Sequence, residues 1–329
     1  MDQSFRTLEY EGPQGTEQLS VLGEIDDLQK HPHDRAPVRR RWLLPAVLFT
    51  LTCISTFVAG AGNAAGGGPG IAALMAGDRT AITRIFVENW QAGITYMLAV
   101  MGILLAHEMG HFLQAVRYHV PASWPFFIPM PITQIGTMGA VIGMQGSQAN
   151  RKELFDIGLS GPLAGLVVAI PILYYGVMLE PKGTTSFGGE YGVPLLLQWM
   201  FAWLRPEDAA HGVRLFGTLN PLLMAGWVGL FITGLNMLPV SQLDGGHVAY
   251  ALLGRQAHWL ARGVIMAAIA YIVISGVLGW IVMLMLVMAI GTDHPPTHDD
   301  TVPLGWGRVL LGYLSLGLSV ICLTPNPFH

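Results

Sequence analysis

The stretch GITYMLAVMGILLAHEMGHFLQAV, from Gly93 to Val116, decides how this chain is read. Its strongly polar residues are His107, Glu108, His111 and Gln114; the rest are apolar, small or weakly polar. The stretch exceeds the roughly 20 residues that cross a bilayer as a helix. On that helix His107 and His111 lie on one face, one turn apart, so both imidazoles can reach a single metal ion. Glu108 follows about 100° around the axis, close enough to polarise a water on that metal. Ionisable groups at membrane depth are costly and mark function. A chance match of a short pattern is the competing reading, and it is weaker inside an apolar span than in a soluble chain.

Composition agrees with a membrane setting. Of 329 residues 52% are hydrophobic and 12% charged, with mean hydropathy +0.49. Soluble domains carry about 25% charged residues, so the chain reads as an all-α polytopic membrane protein in contact with lipid. A net charge of −4 and the lack of a basic stripe give no case for nucleic acid. Cys53 and Cys322 lie in separate apolar segments and read as small core hydrophobes rather than a disulfide or ligand pair. The first 35 residues are polar and acidic, with no early apolar run. The first span is therefore expected to act as an uncleaved anchor.

Working outward, residues 1–41 form a polar tail ending in Arg39-Arg40-Arg41. Region 42–88 holds a first span, Trp42 to about Gly60, and over 61–88 a loop containing Gly66-Gly67-Gly68-Pro69-Gly70 and scattered charges, with room for a short interfacial helix. Asn89 to Tyr118 is the second helix. Pro121, Pro125, Pro129 and Pro131 then rule out a regular helix. The β-branched residues and glycines of Thr133–Ile142 predict a re-entrant, β-like hairpin between the second and third spans, shielded by neighbouring helices. Phe155 to Leu179 is the third span, and its Gly158, Ser160, Gly161, Ala164 and Gly165 would let helices approach closely. Leu195–Leu204 reads as interfacial or re-entrant. Leu215 to Leu238 is a fourth span. His258–Ile290 is long for one span and short for two, with Gly276 and Gly279 as possible break points. Leu304 to Leu323 is the last. About six spans are expected, with a core over 89–254 and a C-terminal membrane region over 255–329. The positive-inside rule places the N-terminal arginines, Arg117, Arg151, Lys152, Arg255 and Arg262 in the cytoplasm. Arg79, Arg84, Lys182, Arg205 and Arg214 fall outside.

A catalytic zinc usually takes three protein ligands and leaves a fourth position open. Asp244 is the best third donor, in Asn236-Met237-Leu238-Pro239-Val240-Ser241-Gln242-Leu243-Asp244-Gly245-Gly246-His247. It follows the fourth span at a helix interruption. A +2 ion with Asp244 and Glu108 ionised and neutral histidines sums to about zero, which eases burial in a membrane. Asp-Gly-Gly alone also fits a simple turn. His247 is the rival donor, with a supporting or interfacial role as its alternative.

With both motifs in view, the chain resembles the site-2 protease family of intramembrane zinc metalloproteases. His107-Glu108-Met109-Gly110-His111 matches that family's first motif, and Asn236-x-x-Pro239-x-x-x-Leu243-Asp244-Gly245-Gly246 its second. The resemblance extends to Gly136–Val141 and Ser160-Gly161-Pro162, over roughly residues 89–254. Gly136–Val141 looks most like members related to the plant chloroplast branch and similar bacterial proteins. Between spans three and four there is no room for an inserted PDZ domain.

The resemblance implies one zinc on His107, His111 and Asp244, with Glu108 as general base and Asn236 holding the substrate or its developing oxyanion. Asn236 also reads as a helix cap or an interhelical hydrogen bond. The implied substrates are transmembrane proteins, whose helix must unwind before cleavage. The hairpin could offer an edge on which the unwound segment pairs, or be a packing element.

His294 and His298, in Asp293-His294-Pro295-Pro296-Thr297-His298-Asp299-Asp300, read as a solvated connection that could bind a metal by composition. His31 and His33 lie in the tail, and His119 and His258 at membrane boundaries. A metal or proton transporter is the main rival from another class, but no internal repeat is visible. A catalytically silent scaffold is the second rival. Without an Arg/Ser-rich, acid-poor leader, a bacterial inner membrane is the expected location. The sequence names neither the substrate nor an oligomeric state.

Overall fold

The computed structural model describes residues 42–65, 76–181, 190–210, 213, 215–216, 219–277 and 280–324. The expected tail over 1–41, the glycine run Gly66–Gly70, Lys182, Arg214 and Gly279 lie outside the described residues. Helix α1, Leu43–Ala64, is the expected first span. Two of its hydroxyls are satisfied within the helix, Thr52 Oγ1 donating to Leu48 O and Thr56 Oγ1 to Thr52 O.

Helix α2 runs from Arg79 to Arg117, starting earlier than the sequence suggested. The sequence allows a loop or a short interfacial helix over 61–88; the helix is present from Arg79 and continuous with the span, with Arg84 and Glu88 paired across one turn at 2.9 Å. Asp78 caps the start through the N–H groups of Thr80 and Ala81. At 39 residues the helix is about 58 Å long, well beyond the roughly 30 Å of hydrocarbon. It bends at Asn89, whose φ is −119° and ψ 16°.

Strands β1, Phe126–Met130, and β2, Gly136–Val141, form a small two-stranded hairpin; β2 falls in the expected Thr133–Ile142 stretch, whereas β1 lies earlier, among the prolines. They pair antiparallel, Phe126 opposite Val141 and Met130 opposite Gly136. The turn is pinned to two helices. Asn63 Nδ2 donates to Gln134 O at 2.8 Å, Tyr96 Oη to Ile135 O at 2.8 Å and Ser55 Oγ to Gly136 O at 2.6 Å. Gly136 is required twice over: its φ is +79°, and a Cβ there would stand 2.8 Å from the Ser55 carbonyl oxygen.

Helix α3, Arg151–Leu179, opens on a reciprocal cap between Asn150 and Glu153. Beyond it lie a short ladder of β3, Glu190–Tyr191, helices α4, Leu195–Leu204, and α5, Pro206–Ala209, and the second ladder strand β4, Leu215–Phe216. Helix α6, Pro221–Asn236, is shorter than the expected fourth span. Sixteen residues reach about 24 Å, because Leu215 and Phe216 belong to β4 and Asn220 caps the helix. Trp227 of α6 is fully buried in the main core with Tyr96, Leu104, Leu173 and Leu223. Cys322 is buried in the same core as a free thiol.

After the turn Met237–Leu243, helix α7 spans Asp244–Leu253 and continues through a 3-10 turn into α8, Ala257–Ser275. The long apolar run is two helices: Gly276 stops α8 at φ +70°, and α9 covers Trp280–Ile290. Two short helices finish the described chain, α10 at Trp306–Leu316 and α11 at Leu318–Cys322. Among the described residues four helices are long and apolar enough to cross a membrane: Leu43–Ala64, Arg79–Arg117, Arg151–Leu179 and Asp244–Ser275. That is fewer than the six expected, since Pro221–Asn236 and Trp306–Cys322 are apolar but shorter. Large apolar side chains such as Leu98, Val167, Val273 and Ile274 face outward, as lipid contact requires.

Candidate metal centre

His107 and His111 point from α2 toward α3 and the first turn of α7. Their approach depends on small residues of α3. A Cβ on Gly161 would collide with the His111 imidazole, and one on Gly165 would come within 3.2 Å of His107 Nδ1. A Cβ on Gly110 would reach to 2.5 Å from Ser160 O. The expected close packing of α2 on α3 is therefore present, and it is what brings α3 up to the imidazoles.

Asp244 arrives as the first residue of α7. The turn before it is tight: Ser241 has φ +54°, and side chains on Gly245 or Gly246 would strike the carbonyl oxygens of Met237 and Ser241. Asp244 Oδ2 lies 3.1 Å from His107 Nε2, and Oδ1 lies 3.2 Å from His111 Nε2. The two Nε2 atoms are 3.2 Å apart. These three residues could hold a metal ion, their ligand atoms all lying within 4.8 Å of one another.

The donor set fits zinc. Zn–N and Zn–O bonds of about 2.0–2.1 Å put tetrahedral ligand atoms roughly 3.3 Å apart, close to the spacing here. His111 Nδ1 lies 2.7 Å from Ile157 O, and a carbonyl oxygen only accepts, so Nδ1 carries the proton and Nε2 is left to bind.

Glu108 is 3% exposed and lines the same cavity, of about 120 Å³. Asn236, the last residue of α6, directs its amide to the site, with Nδ2 3.3 Å from His107 Nε2. His247 also lines the cavity but stands outside the converging triad. Its Nδ1 is instead 2.6 Å from Nε2 of His294. The loop around His294 is largely exposed, at Asp293, Pro295, Pro296, His298 and Asp300, as its composition suggests, but His294 itself is buried and the His298 N–H donates to Ala149 O. Proximity of a 47-residue-distant loop left no local signal in the sequence.

Helices long and apolar enough to cross a membrane thus surround two histidines and an aspartate that could hold a metal ion, with Glu108 beside them in the same cavity. The chain belongs to peptidase family M50, whose profile matches residues 95–279. It is 30% identical over 250 residues to the "Probable zinc metalloprotease EGY2, chloroplastic" of Arabidopsis thaliana, covering 74% of this chain and 43% of that protein. It is 31% identical over 245 residues to the EGY1 protein of the same plant, covering 71% and 43%. A rice relative, EGY3 of Oryza sativa subsp. indica, is 29% identical over 245 residues, covering 68% and 40%. The chain thus matches less than half the length of these curated relatives. No solved structure matches it significantly.

Proposed function

We propose that this chain is an intramembrane zinc metalloendopeptidase that cleaves transmembrane-helix substrates within or near the bilayer. The observation that carries the reading is the meeting of His107, His111 and Asp244 with Glu108 in one cavity between apolar helices. The family match and the names of the relatives support it. One zinc per chain, held by those three residues, would supply Lewis acidity toward water and the scissile carbonyl. Glu108 takes the proton of the attacking water and passes it to the leaving amine. Asn236 Nδ2 donates to the oxygen on which charge develops. Ala140 and Val141 of β2 line the same cavity, which supports the hairpin as a re-entrant edge for an unwound substrate.

In this reading residues 89–254 are the catalytic core and 255–329 a C-terminal membrane region of a lipid-embedded, multi-pass protein. The EGY relatives are named chloroplastic and come from plants, which gives no support to a bacterial inner membrane.

Glu108→Gln keeps size and hydrogen-bonding capacity but removes the base. Zinc content should stay at the wild-type level while cleavage of a model transmembrane substrate falls about 10²-fold or more. Near-normal cleavage by this variant would overturn the mechanism.

A further inference from the structure

The loop between α9 and α10 delivers a side chain to the edge of the metal cavity. His294 is 5% exposed. Its ring stacks on Tyr250 with centroids 4.6 Å apart, and Tyr250 Oη donates to Asp300 of the same loop at 2.9 Å. His258 Nε2 donates to the His294 carbonyl at 3.1 Å. Ring and backbone are both held.

The proton positions follow from these partners. A carbonyl oxygen only accepts, so His294 Nδ1, 2.6 Å from Pro295 O, carries a proton. Burial pushes His294 below the ordinary histidine pKa, with His258 adding to the effect and Pro295 O and Asp300 opposing it. In the neutral ring Nε2 offers a lone pair, and it lies 2.6 Å from His247 Nδ1. His247 Nδ1 is therefore the donor. A second proton on His247 would put a cation in an apolar helix beside the metal ligands. Nε2 of His247 is left as a bare acceptor, on a residue that lines the metal cavity.

We propose that His247 recognises the substrate backbone and that His294 is its positioning residue: by accepting the Nδ1 proton, His294 fixes His247 Nε2 as an acceptor for a peptide N–H. The inference rests on the protease reading above. An unwound segment within a bilayer presents N–H and C=O groups that find no water. Asn236 offers a donor for a carbonyl, and His247 offers the complementary acceptor for an amide.

The test uses the full chain with 15N-labelled histidine, in detergent, with His247→Gln to assign the His247 signals. The wild type should show His247 protonated at Nδ1 alone. His294→Ala should release it to a mixture of tautomers, and His294→Gln, whose Oε1 can accept the same proton, should restore it. On a synthetic transmembrane peptide, His294→Ala should raise KM about fivefold with zinc content unchanged, and the glutamine variant should recover most of the loss. Peptides carrying single amide-to-ester replacements near the cut bond supply the final arm. One of them should already show that loss with the wild type and no added loss with His294→Ala. An unchanged His247 tautomer in His294→Ala, zinc loss in that variant, failure of the glutamine rescue, or full sensitivity of every ester peptide would each overturn the proposal. The imidazole spectrum needs no activity. A wild type that shows the tautomer but cuts no peptide therefore overturns the protease reading, and the recognition role with it.

Discussion

Glycine at position 161 decides whether His111 can stand where Asp244 needs it. The imidazole occupies the space a Cβ would take, whereas at Gly165 the added carbon would meet His107 at 3.2 Å, a contact a small shift relieves. Gly161→Ala should therefore weaken zinc binding about tenfold or more with all three ligands still present, and Gly165→Ala much less. Metal titration in detergent distinguishes the two, and equal affinities would show that α3 does not set the imidazole position. Removal of a ligand is the harsher case. Asp244→Ala should abolish stoichiometric zinc, and full occupancy in that variant would move the third ligand elsewhere.

At the scale of elements, the hairpin is held by helices rather than by its own two strands. Ser55 reaches the Gly136 carbonyl from α1 at 2.6 Å. Ser55→Ala leaves that buried acceptor short of its donor, a cost of roughly 1–3 kcal/mol. The expected result is faster hydrogen exchange over residues 134–141 with α3 unchanged; uniform exchange across the protein would show that α1 does not clamp the turn. The elements also show which parts of the fold were legible in the sequence. His107 and His111 declare themselves because helix periodicity alone places them together, and Asp244 because it sits at a helix interruption just after an apolar run. Prolines 121–131 and the glycines beyond them announced the hairpin. Helix lengths were harder: apolar composition passes unbroken through the Asn220 cap, and the charges at 79–88 do not show that a helix there runs on into the span. His294 was unreadable, since its partner His247 is 47 residues away and its neighbours are polar.

For the molecule as a whole, the polar contacts collect at two ends of α3. One end joins Arg151 to Asp299 and to the carbonyls of Ala251 and Leu252; the other joins Arg205 and Asn220 to Glu180. A helix of 29 residues separates them by about 43 Å, more than a hydrocarbon core. Thr301 and Glu207, both exposed, lie with the first and second end. Single cysteines there should label from opposite faces of sealed vesicles, Thr301→Cys from the face that holds Arg117 and Arg255. Labelling of both from one face would mean that α3 does not cross.

The separation along the chain of the three residues that could hold a metal has a consequence for biosynthesis. Asp244 lies 137 residues after His107, so a ribosome has made and released most of the core before the third donor exists. Two imidazoles on one helix make an incomplete, weak site for a metal while the chain is being threaded into its membrane. A complete metal site can then arise only after α7 has entered and docked, so a chain still being threaded into its membrane holds metal weakly or not at all.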